Sequence, residues 1–275
     1  MVKAALVACS NPLKEAYLPV VDQLKKLLED RGLEVAVSRF LTDADLAGRG
    51  KRRARELENF FLDPEMAHIF DISGGDLANT VLGELDLDRI KGSQAVFYGY
   101  SDLTTILNAL AENGNRAVNF QLRNCLENAD LLTGGYLDRL LAGKNLPDDL
   151  EVAFCQGRRL EGPVYGGNLR CLLKLAGTPY WPDFKGAVLL LEAYRGRPER
   201  VASLLEQLRE LGVFDQVSGV LLGTFSELDR MKESELPAQL LQDLLPAGTP
   251  LARTEYIGHR PTARAISLGK SCIFA

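Results

Sequence analysis

The stretch Ala95-Val96-Phe97-Tyr98-Gly99-Tyr100-Ser101-Asp102-Leu103-Thr104-Thr105-Ile106-Leu107-Asn108-Ala109-Leu110 decides the fold. Its first four residues make a short apolar run of the kind a buried strand needs. From Asp102 to Leu110 the apolar residues fall at the three- and four-residue steps of an amphipathic helix. A strand that passes through Gly99 straight into a helix is half of a crossover unit, and the same rhythm lies upstream. Residues 3–8 are another apolar run, followed by a helical pattern over 13–31 in which Tyr17, Val21, Leu24 and Leu28 share one face and Gly32 stands where a cap would. Residues 33–40 read as strand, 52–62 as helix, and 68–72 as a strand running into Ser73-Gly74-Gly75-Asp76. Such alternation requires crossover connections, hence an α/β fold with a parallel sheet covered on both faces. Ligands of these sheets bind at the carboxyl ends of the strands, where both glycine turns lie.

Farther along, 121–141 reads as helix and Asn145-Leu146-Pro147-Asp148-Asp149 as a linker. Beyond it, 151–154, 187–192 and 217–222 read as strands, 168–175 and 199–211 as helices, with glycine and proline in clusters. The chain therefore divides at the linker into two α/β domains, 1–149 and 150–275. A length of 275 residues suits two modest domains, and 46% hydrophobic residues are enough to fill two cores.

Composition excludes several functions. The net charge is -5 and the only dense basic run, Lys51-Arg52-Arg53-Ala54-Arg55, is short, so nucleic acid is not an expected partner. No apolar stretch reaches the roughly 18 residues of a membrane span, and the N-terminal run is too short for a signal peptide. Five scattered cysteines without a CxxC pair fit reduced thiols of a cytoplasmic protein. Two histidines, His68 and His259, cannot build a His-rich metal site; neither metal nor cofactor is expected.

Ser101 stands on the strand-to-helix turn, a place where several hydrolase folds present a nucleophile. A plain helix N-cap explains the same residues, and Leu103 replaces the second glycine of GxSxG. A serine nucleophile needs a base. His68 begins an apolar run, which suits a buried structural role, whereas His259 lies in the loop Tyr256-Ile257-Gly258-His259-Arg260-Pro261 and is the better candidate. Glu192 closes the apolar run 187–191, where a carboxylate must find a partner; it is either the orienter of the imidazole or a solvated strand end. The Ser73-Gly74-Gly75-Asp76 turn is neither a Walker loop nor GxGxxG; it is either an ordinary βα turn or one that brings a backbone N–H toward Ser101.

These residues also carry a resemblance. Tyr98-Gly99-Tyr100-Ser101-Asp102-Leu103-Thr104 resembles the nucleophile turn of the LD-carboxypeptidase family of serine peptidases, which includes the microcin-immunity peptidases. Ser73-Gly74-Gly75, Leu85-Asp86-Leu87-Asp88-Arg89-Ile90-Lys91, Tyr165-Gly166-Gly167-Asn168-Leu169, Gly177-Thr178-Pro179-Tyr180-Trp181-Pro182-Asp183, Leu189-Leu190-Leu191-Glu192 and Ile257-Gly258-His259 resemble its other landmarks, in order. The resemblance implies a flavodoxin-like N-terminal domain carrying the nucleophile and a smaller swivelling α/β domain carrying the glutamate and histidine. It implies Ser101 as nucleophile, His259 as base, Glu192 as orienter, the backbone N–H groups of Asp102 and Gly75 as oxyanion hole, and Gly74 and Asp76 as substrate-binding. It also implies a cytoplasmic homodimer that releases D-Ala from muropeptide tetrapeptides in cell-wall recycling. A microcin-immunity-type amidase, or a peptide-binding homologue without turnover, is the alternative. Ser73 stands where the family has Arg, and Asp76-Leu77-Ala78-Asn79 where it is glycine-rich, so the pocket is expected to differ.

Overall fold

The computed structural model describes residues 2–144 and 150–275; the expected linker at 145–149 lies outside them. Two six-stranded sheets organise the described residues. The first comprises β1 (Lys3–Val7), β2 (Glu34–Val37), β3 (Met66–Asp71), β4 (Val96–Gly99) and β5 (Arg116–Asn119), all parallel in the order β2-β1-β3-β4-β5. The order 2-1-3-4-5 is the flavodoxin-like arrangement. The second sheet holds β6 (Ala153–Gln156), β7 (Leu160–Asn168), β8 (Val188–Ala193), β9 (Gly219–Phe225) and β10 (Leu251–Arg253), with β7 to β10 parallel and β6 antiparallel at one edge. Every residue of β8 is buried, as a central parallel strand with both faces covered requires.

The two sheets do not separate at one point of the sequence. β11 (Ile266–Leu268) returns to the first sheet and pairs antiparallel with β5. β12 (Ser271–Phe274) then pairs with β7 of the second sheet. A single core cluster joins residues from both, including Ile69, Phe97, Leu110, Val164 and Leu190.

Two helical expectations change. The helix after the serine turn, Thr104–Glu112, is not amphipathic in place: every residue from Thr104 to Ala111 is buried. It lies between the sheets, against β5 and β7. Its polar member is satisfied there: Asn108 Nδ2 donates to Thr104 O at 2.7 Å and Gly166 O at 2.9 Å, and its Oδ1 accepts from Gly166 N at 2.8 Å. Asn108→Ala leaves both polar groups of Gly166 unpaired in the core, an expected loss of about 2–4 kcal/mol measurable by urea unfolding. The stretch 121–141 is three short helices, Asn124–Glu127, Asp130–Thr133 and Tyr136–Leu141. The Asn128 side chain breaks it by accepting from Asp130 N at 3.0 Å, and Gly135 breaks it again at φ +65°.

His68 is buried in the first sheet with Nδ1 3.1 Å from Tyr98 Oη, and burial lowers its pKa to about 4. It is a neutral structural histidine, as its position in an apolar run indicated. Tyr180 and Trp181 pack on the core, Trp181 edge-on to Phe184 at 5.2 Å. No helix among the described residues is long and apolar enough to cross a membrane.

Candidate active site

Ser101 has φ +57°, one of two non-glycine residues among those described with positive φ. A left-handed residue that follows an extended Tyr100 and opens the helical turn Ser101–Leu103 is the strained elbow that lifts a side chain off the end of a strand. The turn is held from below by Asp102, which is fully buried. Its Oδ2 accepts from Ser10 Oγ at 2.6 Å and Ala78 N at 2.9 Å, and its Oδ1 from Lys174 Nζ at 2.5 Å. Gly99 permits the sharp turn, since a Cβ there would sit 2.8 Å from Leu103 Cβ.

Glu192 lies on β8 beside Asn168 of β7 in the sheet register, and the β8–β9 register shifts at this position. The irregularity places Gly223 against Glu192, where a Cβ would stand 2.6 Å from Ile257 O, so the loop carrying His259 can press in. Gly258 at φ +133° completes that approach; a Cβ there would stand 2.1 Å from Thr224 Oγ1. The result is a buried contact of 2.7 Å between His259 Nδ1 and Glu192 Oε2. Glu192 Oε1 accepts from Asn168 Nδ2 at 3.0 Å, and Asn168 Oδ1 accepts from Cys171 N at 3.4 Å as the cap of the next helical turn. Both carboxylate oxygens are therefore engaged. The imidazole sits between the rings of Tyr100 and Tyr194, at centroid distances of 4.8 and 4.9 Å.

A cleft of about 660 Å³ collects Ser101, Gly75, Asp76, Asn168, Tyr194 and four arginines, Arg170, Arg195, Arg197 and Arg200. The glycine turn borders it. Gly75 has φ +135°, and a Cβ there would overlap the Asn11 amide at 2.2 Å, while Gly74 faces open space. Ser73 anchors the turn: its Oγ donates to Asp71 at 2.6 Å and accepts from Ser10 N at 2.9 Å. Burial raises the pKa of that Asp71. Asp76 pairs with Arg170 at 2.6 Å. Arg195, Arg197 and Arg200 have no acidic partner among the described residues.

Of the residues singled out in the sequence, Ser101, Gly75 and Asp76 line this cleft, and the His259–Glu192 pair adjoins it through Tyr194 and Asn168; Gly74 lines a separate cavity with Asn11 and Tyr100, and Asp102 is buried beneath the serine turn. Sequence reasoning missed the roles of Asn168 and the arginines. An asparagine at the start of the 168–175 helical pattern is an N-cap signal, which could have located Asn168 but not the carboxylate it holds.

Residues 4–120 match the LD-carboxypeptidase N-terminal domain and residues 161–273 its C-terminal domain, so the chain belongs to the LD-carboxypeptidase family of serine peptidases. A probable murein peptide carboxypeptidase of Bacillus subtilis is 26% identical over 268 residues, covering 90% of this chain and 82% of that protein. The murein tetrapeptide carboxypeptidase of Pseudomonas aeruginosa is 26% identical over 286 residues, covering 97% and 92%. Among solved structures, microcin C7 self-immunity protein MccF in complex with aspartyl sulfamoyl adenosine shares the fold, with TM-score 0.83 and 21% identity over 99% of this chain and 92% of that one.

Proposed function

We propose that this protein is a carboxypeptidase that removes the terminal D-amino acid of murein tetrapeptides, using Ser101, His259 and Glu192 as a catalytic triad. The observation that carries the reading is the 2.7 Å His259–Glu192 contact, together with a serine held at φ +57° on a turn whose Tyr100 ring packs against His259. Glu192 takes the proton-bearing Nδ1 of His259, which leaves Nε2 as the base for the Ser101 hydroxyl. Attack of Ser101 Oγ on the scissile carbonyl forms a tetrahedral oxyanion, stabilised by the backbone N–H groups of Asp102 and Gly75. His259 then protonates the leaving amine, and a water activated by the same imidazole hydrolyses the acyl-enzyme. Residues 1–149 supply the nucleophile and the oxyanion loop, with Gly74 and Asp76 against the substrate; residues 150–275 supply the acid and the base.

Arg195, Arg197 and Arg200, without acidic partners among the described residues, support a substrate that ends in a free carboxylate. In a chain of net charge -5 they make the cleft locally cationic, and guanidinium groups suit planar carboxylates. The test is mass spectrometry of a tetrapeptide ending in D-Ala, offered as free acid and as C-terminal amide. Loss of one alanine from the free acid, with kcat/KM at least about tenfold lower for the amide, is expected for a carboxypeptidase. Equal cleavage of both would sink the terminal-carboxylate reading. A phosphate would suit the same arginines, so the microcin-immunity alternative is tested in parallel with an aminoacyl nucleotide. A cytoplasmic homodimer is part of the same proposal, checked by light scattering and fractionation.

A further inference from the structure

The glycine turn is gripped from two sides. From the first sheet, Asn11 N donates to Gly74 O at 3.2 Å and Asn11 Oδ1 accepts from Asp76 N at 3.0 Å. From the second sheet, Arg170 Nη2 donates to Gly75 O at 3.0 Å, Arg170 Nη1 to Asp76 Oδ1 at 2.6 Å, and Lys174 Nζ to Asp76 O at 2.9 Å. The same Lys174 ammonium reaches Asp102 Oδ1 at 2.5 Å, beneath the serine elbow.

A trans peptide is rigid, with its C=O and N–H pointing oppositely. The Gly75–Asp76 peptide is therefore fixed at both ends, its carbonyl by Arg170 and its N–H by Asn11. The preceding peptide is tied at Gly74 O, which turns Gly75 N–H away from β1. Glycine at φ +135° has no side chain to hold these planes, so without external partners the turn is free to rotate. The two cations stand four residues apart, on one face of the helical turns 169–175. Asn168, which caps those turns, is the residue that holds Glu192.

We infer that Arg170 and Lys174 are positioning residues for the oxyanion hole: they clamp the turn carrying Gly75 and the elbow carrying Asp102 in the geometry that receives the tetrahedral intermediate. The short segment 168–175 then sets both halves of the machinery, the acid through Asn168 and the oxyanion donors through the two cations. Asp76, standing where the family resemblance leads one to expect glycine, is the carboxylate that gives Arg170 its grip. This inference rests on the triad reading above.

Arg170→Gln is the variant of choice, because Arg170 is on the surface of the cleft and its loss unpairs no buried charge. The expected result is a fall in kcat/KM of about 10- to 100-fold, less than the 10²–10³ for deleting an oxyanion donor outright. The inhibition constant of a peptide aldehyde, which forms a tetrahedral adduct with the serine, should rise by the same factor. In the Ser101→Ala background, the Kd of the uncleaved tetrapeptide should stay within about twofold with or without Arg170→Gln. Arg170→Lys, which keeps the charge opposite Asp76, should recover part of the loss. If Arg170→Gln weakens substrate Kd as much as it lowers kcat/KM, Arg170 binds substrate and the positioning role is overturned. No change in any constant overturns it as well. If the aldehyde makes no adduct with the wild type, the serine reading falls and this inference with it, a result distinct from the other two.

Discussion

Ser101→Ala is expected to lower kcat about 10⁴- to 10⁶-fold while leaving tetrapeptide affinity within a few-fold. The hydroxyl forms the covalent bond, so nothing at position 101 replaces it. The fold should tolerate the change, because the side chain lines the cleft and the turn is held by Asp102 through Ser10, Ala78 and Lys174. Alanine in a left-handed conformation costs on the order of 1 kcal/mol no matter which elbow carries it, and serine already bears that cost. Isothermal titration with the uncleaved peptide and steady-state turnover separate the two quantities. A variant that keeps more than about 1% of wild-type turnover would remove Ser101 from the mechanism.

Glu192→Gln is expected to lower kcat about 10³- to 10⁴-fold with KM little changed. The reason lies in Asn168. Its Nδ2 donates to one carboxylate oxygen while its Oδ1 receives Cys171 N. A glutamine at 192 must therefore keep its oxygen toward Asn168 and present its NH₂ group to His259 Nδ1. That arrangement forces the tautomer with the proton on Nε2, so the imidazole cannot accept the serine proton. The reverse orientation sets two NH₂ groups against each other in a buried site. Steady-state kinetics with a free-acid tetrapeptide check the split; an equal effect on kcat and on substrate Kd would contradict the orienting role. Glu192→Gln with Asn168→Asp restores an acceptor opposite the glutamine amide, and partial recovery of kcat would trace the loss to this network.

The strand–turn–helix around Ser101 and the loop around His259 were legible in the sequence because their local signals agree. The apolar run 95–98, Gly99 and the helical spacing after Ser101 pointed to a strand–turn–helix, and the glycine and proline flanking His259 marked a loop of the kind that carries function. What escaped detection was cooperative. β7 carries Gly162, Gly166 and Gly167, all at positive φ, in place of the branched residues that advertise a strand. They are glycines because a Cβ on Gly166 would meet Leu190 O at 2.1 Å and one on Gly167 would meet Thr104 Oγ1 at 2.7 Å. Close approach of β8 and the serine helix dictated the sequence, and neither neighbour is visible from the strand itself. β11 is three residues long and its partner β5 lies far away in the chain, so no local pattern announces it. The helix of residues 104–112 read as amphipathic because Asn108 and the threonines are polar; their hydrogen bonds make a fully buried helix possible. Arg170 and the arginines of 195–200 carry no local signal, since only the packing of the two sheets brings them to one cleft, with Lys174 against Asp102 beneath the serine turn.

The most direct test of the serine mechanism is covalent: a serine-directed phosphonate, followed by intact-mass measurement and peptide mapping of the wild type, Ser101→Ala and Glu192→Gln. A single adduct on Ser101 in the wild type, formed at least about a hundredfold more slowly in Glu192→Gln and absent in Ser101→Ala, is the expected result. An adduct on another residue, or equal labelling rates in wild type and Glu192→Gln, would contradict the assignment of Ser101 as a nucleophile activated by the His259–Glu192 pair.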